Sequence, residues 1–68
     1  MAIGKVKWFD ATKGFGFIQP EEGGNDVFVH KTAVMRARLT TLHEGQKVSY
    51  ELENNRGKVA ATNLRLVD

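Results

Sequence analysis

The sequence contains no cysteine, so no disulfide can staple the fold and the thiolate half of the usual zinc-ligand set is missing. Its two histidines, His30 and His43, are too few for a metal cage, and neither a metal nor another cofactor is expected. No run of apolar residues approaches the roughly 20 needed to span a bilayer. The opening Met1-Ala2-Ile3-Gly4-Lys5 lacks the roughly 7–15-residue apolar stretch of a secretion signal. These absences set the expectation of a soluble, cytoplasmic protein with no membrane partner. Sixty-eight residues allow one domain, 1–68, which buries only about 60% of its unfolded surface and is therefore marginally stable.

Charge of one sign is also scarce, with a net of +2. Its distribution is less even. Lys5, Lys7 and Lys13 face only Asp10 in the first twenty residues, and Lys31, Arg36 and Arg38 face only Glu44 in the stretch 31–46. The intervening Glu21, Glu22 and Asp26 are acidic. Alone, such a pattern is also what an ordinary solvated surface carries.

Signals for catalysis are missing too. His30 has no Ser or Cys nucleophile motif beside it, and Asp26 lies four residues away, too far for a same-face neighbour on a strand. Glu21-Glu22 sit in a glycine-rich turn, where solvated charges are the ordinary finding. Gly14 and Gly16 lack the later Gly-Lys-Ser/Thr of a phosphate-binding loop. Neither an enzyme nor a small-molecule substrate is expected.

What remains is a series of short strands between turn signals. Gly4 to Asp10 alternates and is followed by the turn Ala11-Thr12-Lys13-Gly14; Phe15 to Gln19 is ended by Pro20, the only proline. Glu21-Glu22-Gly23-Gly24-Asn25 is a hairpin loop leading into Asp26 to His30. Gln46 to Glu53 places Val48, Tyr50 and Leu52 on one face, and Asn54-Asn55-Arg56-Gly57 turns into a last strand, Lys58 to Leu66. Within 31–45, Thr32-Ala33-Val34-Met35 fits one helical turn with Thr32 as its cap. Five short strands without a long amphipathic helix point to a closed or partly closed barrel, which removes exposed sheet edges.

The aromatics are concentrated at one end of the chain. Trp8, Phe9, Phe15, Phe17 and Phe28 all precede residue 30, and only Tyr50 follows. A period of two puts Phe15 and Phe17 opposite Gly16 and Ile18, and Phe28 and His30 opposite Val27 and Val29. The small branched set suits a tight barrel interior, so the phenyl rings and His30 face outward. The inverse parity would leave Ile18, Val27 and Val29 in water beside an exposed glycine. Burying one phenylalanine is worth roughly 1.5–3 kcal/mol, so an outward patch of three calls for a partner. Nucleic-acid bases fit, because each stacked base gains about 1–3 kcal/mol with little sequence preference. Strict alternation sends Trp8 inward with Val6; only a bulge or strong twist brings it to the patch, and periodicity leaves its side open. A protein-interaction barrel using the same patch is the alternative.

Three segments together, Gly4-Lys5-Val6-Lys7-Trp8-Phe9, Lys13-Gly14-Phe15-Gly16-Phe17-Ile18 and Asp26-Val27-Phe28-Val29-His30, strongly resemble the bacterial cold-shock proteins. The second resembles the first ribonucleoprotein motif and Val27 to His30 the second, while Glu44-Gly45-Gln46-Lys47-Val48 is similar to a later family segment. The RNA-recognition motif shares such signatures, but in the reverse order and with two helices that have no counterpart here. The resemblance implies an all-β fold, a five-stranded antiparallel Greek-key barrel of the oligonucleotide-binding type (OB-fold). It also implies a monomer that binds single-stranded RNA and DNA and acts as an RNA chaperone. Such a chaperone melts weak RNA secondary structure, in cold adaptation and in the regulation of transcription and translation. By position, Trp8, Phe15, Phe17, Phe28 and His30 resemble base-stacking residues, and Phe9 a partly buried contributor. Lys7, Lys13 and Asp26 resemble polar contacts, to which Lys31, Arg38 and Arg56 are added as polar or phosphate contacts.

The chain departs from the family pattern at several positions. Lys31 stands where many relatives have an aromatic, Arg38 lies near another such position, Asp10 stands where asparagine is common, and Gly57-Lys58 replaces a Gly-Pro. Arginine can still stack on a base, whereas Lys31 offers a point charge. Fewer stacked bases and more salt-sensitive binding are expected.

Overall fold

The computed structural model describes residues 2–55 and 57–67. The chain forms five strands, β1 (Ala2–Asp10), β2 (Phe15–Pro20), β3 (Val27–His30), β4 (Lys47–Asn55) and β5 (Lys58–Leu66), with one short helix, α1 (Lys31–Arg36), between β3 and β4. The sheet closes into a ring in the order β1-β2-β3-β5-β4. Four of its junctions are antiparallel, and β3 with β5 is parallel through Phe28 and Ala60. A ring with an odd number of strands cannot alternate direction all the way round, so the antiparallel pattern must break at one seam. Here α1 packs on both strands of that seam and buries Val34.

The barrel interior is filled by the small branched residues that alternation selects. Val6, Ile18, Val29 and Val48 are fully buried together with Tyr50, and Val34 and Leu42 join them from α1 and the segment after it. Val48 and Tyr50 turn inward, but Leu52, on the same alternating face, is 57% exposed. β1 pairs with β4 only from Lys47 to Tyr50, so beyond that point β4 keeps β5 on one side and has lost β1 from the other. Leu52 thus lies past the stretch that β1 flanks.

The helix start corrects the expected cap. His30, extended at φ −97° and ψ 152°, is the N-cap, and its Nδ1 accepts the Thr32 N–H at 3.2 Å. Thr32 is already inside the helix, because α1 begins directly at the end of β3. At the other end Arg38 adopts φ 62°, and the Arg38 and Leu39 N–H groups return to the carbonyls of Met35 (2.9 Å) and Val34 (3.0 Å). This is a Schellman closure with arginine where glycine is the unstrained choice. No helix among the described residues is long and apolar enough to cross a membrane.

Candidate nucleic-acid interface

Phe15 and Phe17 project from β2 opposite His30 and Phe28 of β3, with the partners Phe15↔His30 and Phe17↔Phe28 directly across the ladder. Their alternates Gly16, Ile18, Val27 and Val29 are buried. The phenyl rings are half-buried rather than bare, because they pack on one another. Phe15 and Phe28 stack at 5.8 Å, and Phe17 meets Phe28 edge-on at 5.9 Å and Phe15 edge-on at 6.4 Å. These separations lie within the favourable range of about 4.5–7 Å for ring pairs, so mutual packing offsets part of the cost of an outward aromatic face. His30, exposed, continues the array 6.3 Å from Phe28.

Trp8 joins this face through a break in the β1–β2 register. Val6 pairs with Ile18, and the next partner pair is Trp8 with Phe17, so Lys7 is an extra residue in β1. The bulge reverses the parity of the strand: Val6 stays inside, while Trp8 lies 5.4 Å from Phe17 and 5.6 Å from Phe15 and is 36% exposed. Phe9 then falls opposite Gly16 and packs partly on the core. Only glycine fits there. A Cβ on Gly16 would collide with the Trp8 carbonyl oxygen and lie 2.7 Å from the Phe9 Cα.

Charged groups border the rings. The bulged Lys7 places its Nζ 2.9 Å from the Asp26 Oδ2, which ties β1 to the start of β3 beside the array. Both side chains are partly exposed, so the pair contributes little to stability and its remaining hydrogen-bonding positions stay open. Asp10 accepts the Thr12 and Lys13 N–H groups at 2.9 and 3.0 Å on one carboxylate oxygen. Its carboxylate thus shapes the turn that presents Lys13, a job that asparagine can also perform. The Lys31 N–H bonds to the Gly14 carbonyl at 2.9 Å and its side chain runs alongside Gly14, so Lys31 and Lys13 flank the Phe15–His30 end. Arg38 is not part of this group; it lines a groove with Arg36 and Arg65. Arg56 lies outside the described residues.

Alternation did not point to an apolar cleft of about 800 Å³ that continues from Phe17 and Phe28 to Pro20, Leu52 and Val59. Its walls come from all five strands, which no single segment signals.

Residues 2–67 match the family model described as the 'Cold-shock' DNA-binding domain. The protein named "Probable cold shock protein y4cH" from Sinorhizobium fredii is 63% identical over 67 residues, covering 96% of this chain and 97% of its own length. Cold shock protein CspA of Rhizobium meliloti is 57% identical over 67 residues, with 96% and 97% covered. The cold shock-like protein CspB of Escherichia coli is 49% identical over 65 residues, with 96% and 92% covered. The closed five-stranded ring is the oligonucleotide-binding fold of the matching domain. With its motifs on one aromatic face and its whole described length matched, the chain belongs to the cold-shock domain family of nucleic-acid-binding proteins.

Proposed function

We propose that the aromatic face binds single-stranded RNA and DNA, with bases stacked on Trp8, Phe15, Phe17, Phe28 and His30. Phe9 supports the platform from below, Lys7 and Asp26 meet base edges, and Lys13 and Lys31 meet phosphates. The observation that carries this is the contiguous array of rings, with neighbouring centroids 5.4–6.4 Å apart and Trp8 and His30 open to solvent. Duplex bases present no free faces to such a platform, whereas every unpaired base does.

The magnitudes favour an RNA chaperone. Stacking gains about 1–3 kcal/mol per base, against about 0.6–2.2 kcal/mol for each base-pair step of a DNA duplex. A few stacked bases therefore outweigh a short, weak stem and lose to a long one. Trapping the open form of weak stems keeps transcripts single-stranded where cold would otherwise let structure persist, and it alters signals for transcription and translation. The protein acts this way as a single domain over 1–68, a cytoplasmic monomer that binds without turnover.

The test is a titration of a pyrimidine-rich single strand followed by Trp8 fluorescence, with the matching duplex in parallel. Quenching by the single strand and far weaker binding of the duplex are expected; no quenching, or equal affinities, would refute the proposal. The apolar cleft beside Phe17 and Phe28 favours a second reading, a hydrophobic protein partner on the same face. Salt separates the two, because nucleic-acid affinity falls on a log–log plot by about 0.7 for each phosphate neutralised.

A further inference from the structure

Away from the rings, three guanidinium groups converge. Arg36 in the last turn of α1, Arg38 just beyond it and Arg65 in β5 line an open groove of about 500 Å³ with Asn63, Leu64 and Glu51. Among the described residues, the ion pairs are Lys7–Asp26 and Lys47–Glu21, and neither uses an arginine. Among the described residues, the one carboxylate lining the groove, Glu51, already accepts a hydrogen bond from the Asn63 amide at 2.8 Å. The groove is therefore cationic.

Its shape depends on two unusual backbone positions. Arg38 at φ 62° and Asn63 at φ 50° are the positive-φ non-glycine residues among those described, and both line it. Asn63 marks a β5 bulge: Ser49 pairs with Arg65 and Glu51 with Thr62, so Asn63 and Leu64 together oppose Tyr50. The extra residue sends Leu64 into the barrel, 3% exposed, and turns Arg65 out to solvent. Unbroken alternation from the buried Ala61 would have done the reverse. Left-handed geometry at non-glycine residues is costly and gathers where a surface is shaped for use.

The groove is also continuous with the aromatic face. A second depression, lined by His30, Thr32 and Thr62 with Glu53 as its one acidic group among the described residues, shares Arg36 and Asn63 with it. His30 is the end of the ring array. The surface thus passes from His30 over Arg36 to Arg38 and Arg65 without a break.

We propose that this groove is a phosphate track: a single strand stacked on the rings continues past His30 and lays its backbone against Arg36, Arg38 and Arg65. Planar guanidinium groups match phosphate oxygens in paired hydrogen bonds, and no aromatic ring lines the groove, so it holds backbone without reading bases. The inference rests on the proposed use of the aromatic face and extends the occupied length of strand. Folds of this type cover about 4–16 nucleotides, which leaves room for such an extension.

The salt dependence of binding for two oligothymidylates tests it, one of about six and one of about twelve nucleotides, within the range of about 4–16 per fold. A longer strand gains affinity simply by offering more registers, but that gain does not change the salt slope. Contacts to two or three further phosphates make the slope for the long strand steeper by about 1.4–2.1. The double variant Arg36→Ala/Arg65→Ala is expected to lose about 1.4 of that excess and to bind the short strand as the unsubstituted protein does. Equal slopes for both strands, or an excess that survives the double substitution, would overturn the track while leaving the aromatic face in place. If the short strand fails to quench Trp8, the aromatic face itself is misassigned and the track falls with it.

Discussion

Phe28 occupies the middle of the aromatic face, within 5.8–6.3 Å of Phe15, Phe17 and His30. Its ring is held by neighbours on the same surface and not by the core, so truncation removes a stacking platform without opening a cavity in the barrel. Phe28→Ala, like Phe15→Ala and Phe17→Ala, is expected to weaken single-strand binding by about 1–3 kcal/mol with the far-ultraviolet circular dichroism unchanged. Because Phe17 and Phe28 touch, the double variant should depart from the sum of the single effects in a fluorescence titration. Unfolding of the single variants would show instead that the rings carry the fold.

Two backbone irregularities govern the elements that present these residues. The β1 bulge at Lys7 needs the strand opposite to come close, and Gly16 permits it. Gly16→Ala places a methyl group 2.7 Å from the Phe9 Cα, and the main chain must shift to admit it. A loss of about 1–3 kcal/mol in urea unfolding is expected, with an altered Trp8 emission maximum in the folded state. The second irregularity is the left-handed Arg38 after α1. An L-residue with a side chain is strained there by roughly 1–2 kcal/mol, part of which glycine would return as unfolded-state entropy. Arg38→Gly is therefore expected to stabilise the protein by about 1 kcal/mol, a rise of about 4–8 °C in melting temperature for a domain of this size. The same change removes a guanidinium from the groove, so thermal stability and long-strand affinity should move in opposite directions.

For the molecule as a whole, the barrel closes around Tyr50, its largest fully buried side chain. Burial, and secondarily the Glu22 carboxylate, raises the phenol above its ordinary value of 10.0. The folded protein thus holds this proton more tightly than the unfolded chain. The resulting stabilisation is complete below the unfolded value of about 10 and disappears as pH rises through the higher folded value. Tyr50→Phe removes the titrating group, so its unfolding free energy should fall less steeply than that of the unsubstituted protein above about pH 10. Equal slopes in alkaline urea denaturation would contradict this.

Much of this architecture is legible in the chain itself. Strand period two is a property of the extended backbone, so Phe15 and Phe17 against Gly16 and Ile18 suffice to assign one face to the barrel and the other to the rings. The β5 limits, Lys58 to Leu66, follow from equally local signals. Tertiary pairing decided the rest. Which way Trp8 points depends on how β2 registers against β1. The exposure of Leu52 depends on where β1 stops pairing with β4, and the outward turn of Arg65 on a bulge formed against Tyr50. His30 rather than Thr32 caps α1 because the helix starts where β3 ends. Each of these is set by residues brought together from separate parts of the chain, and a local repeat carries no record of its distant partners.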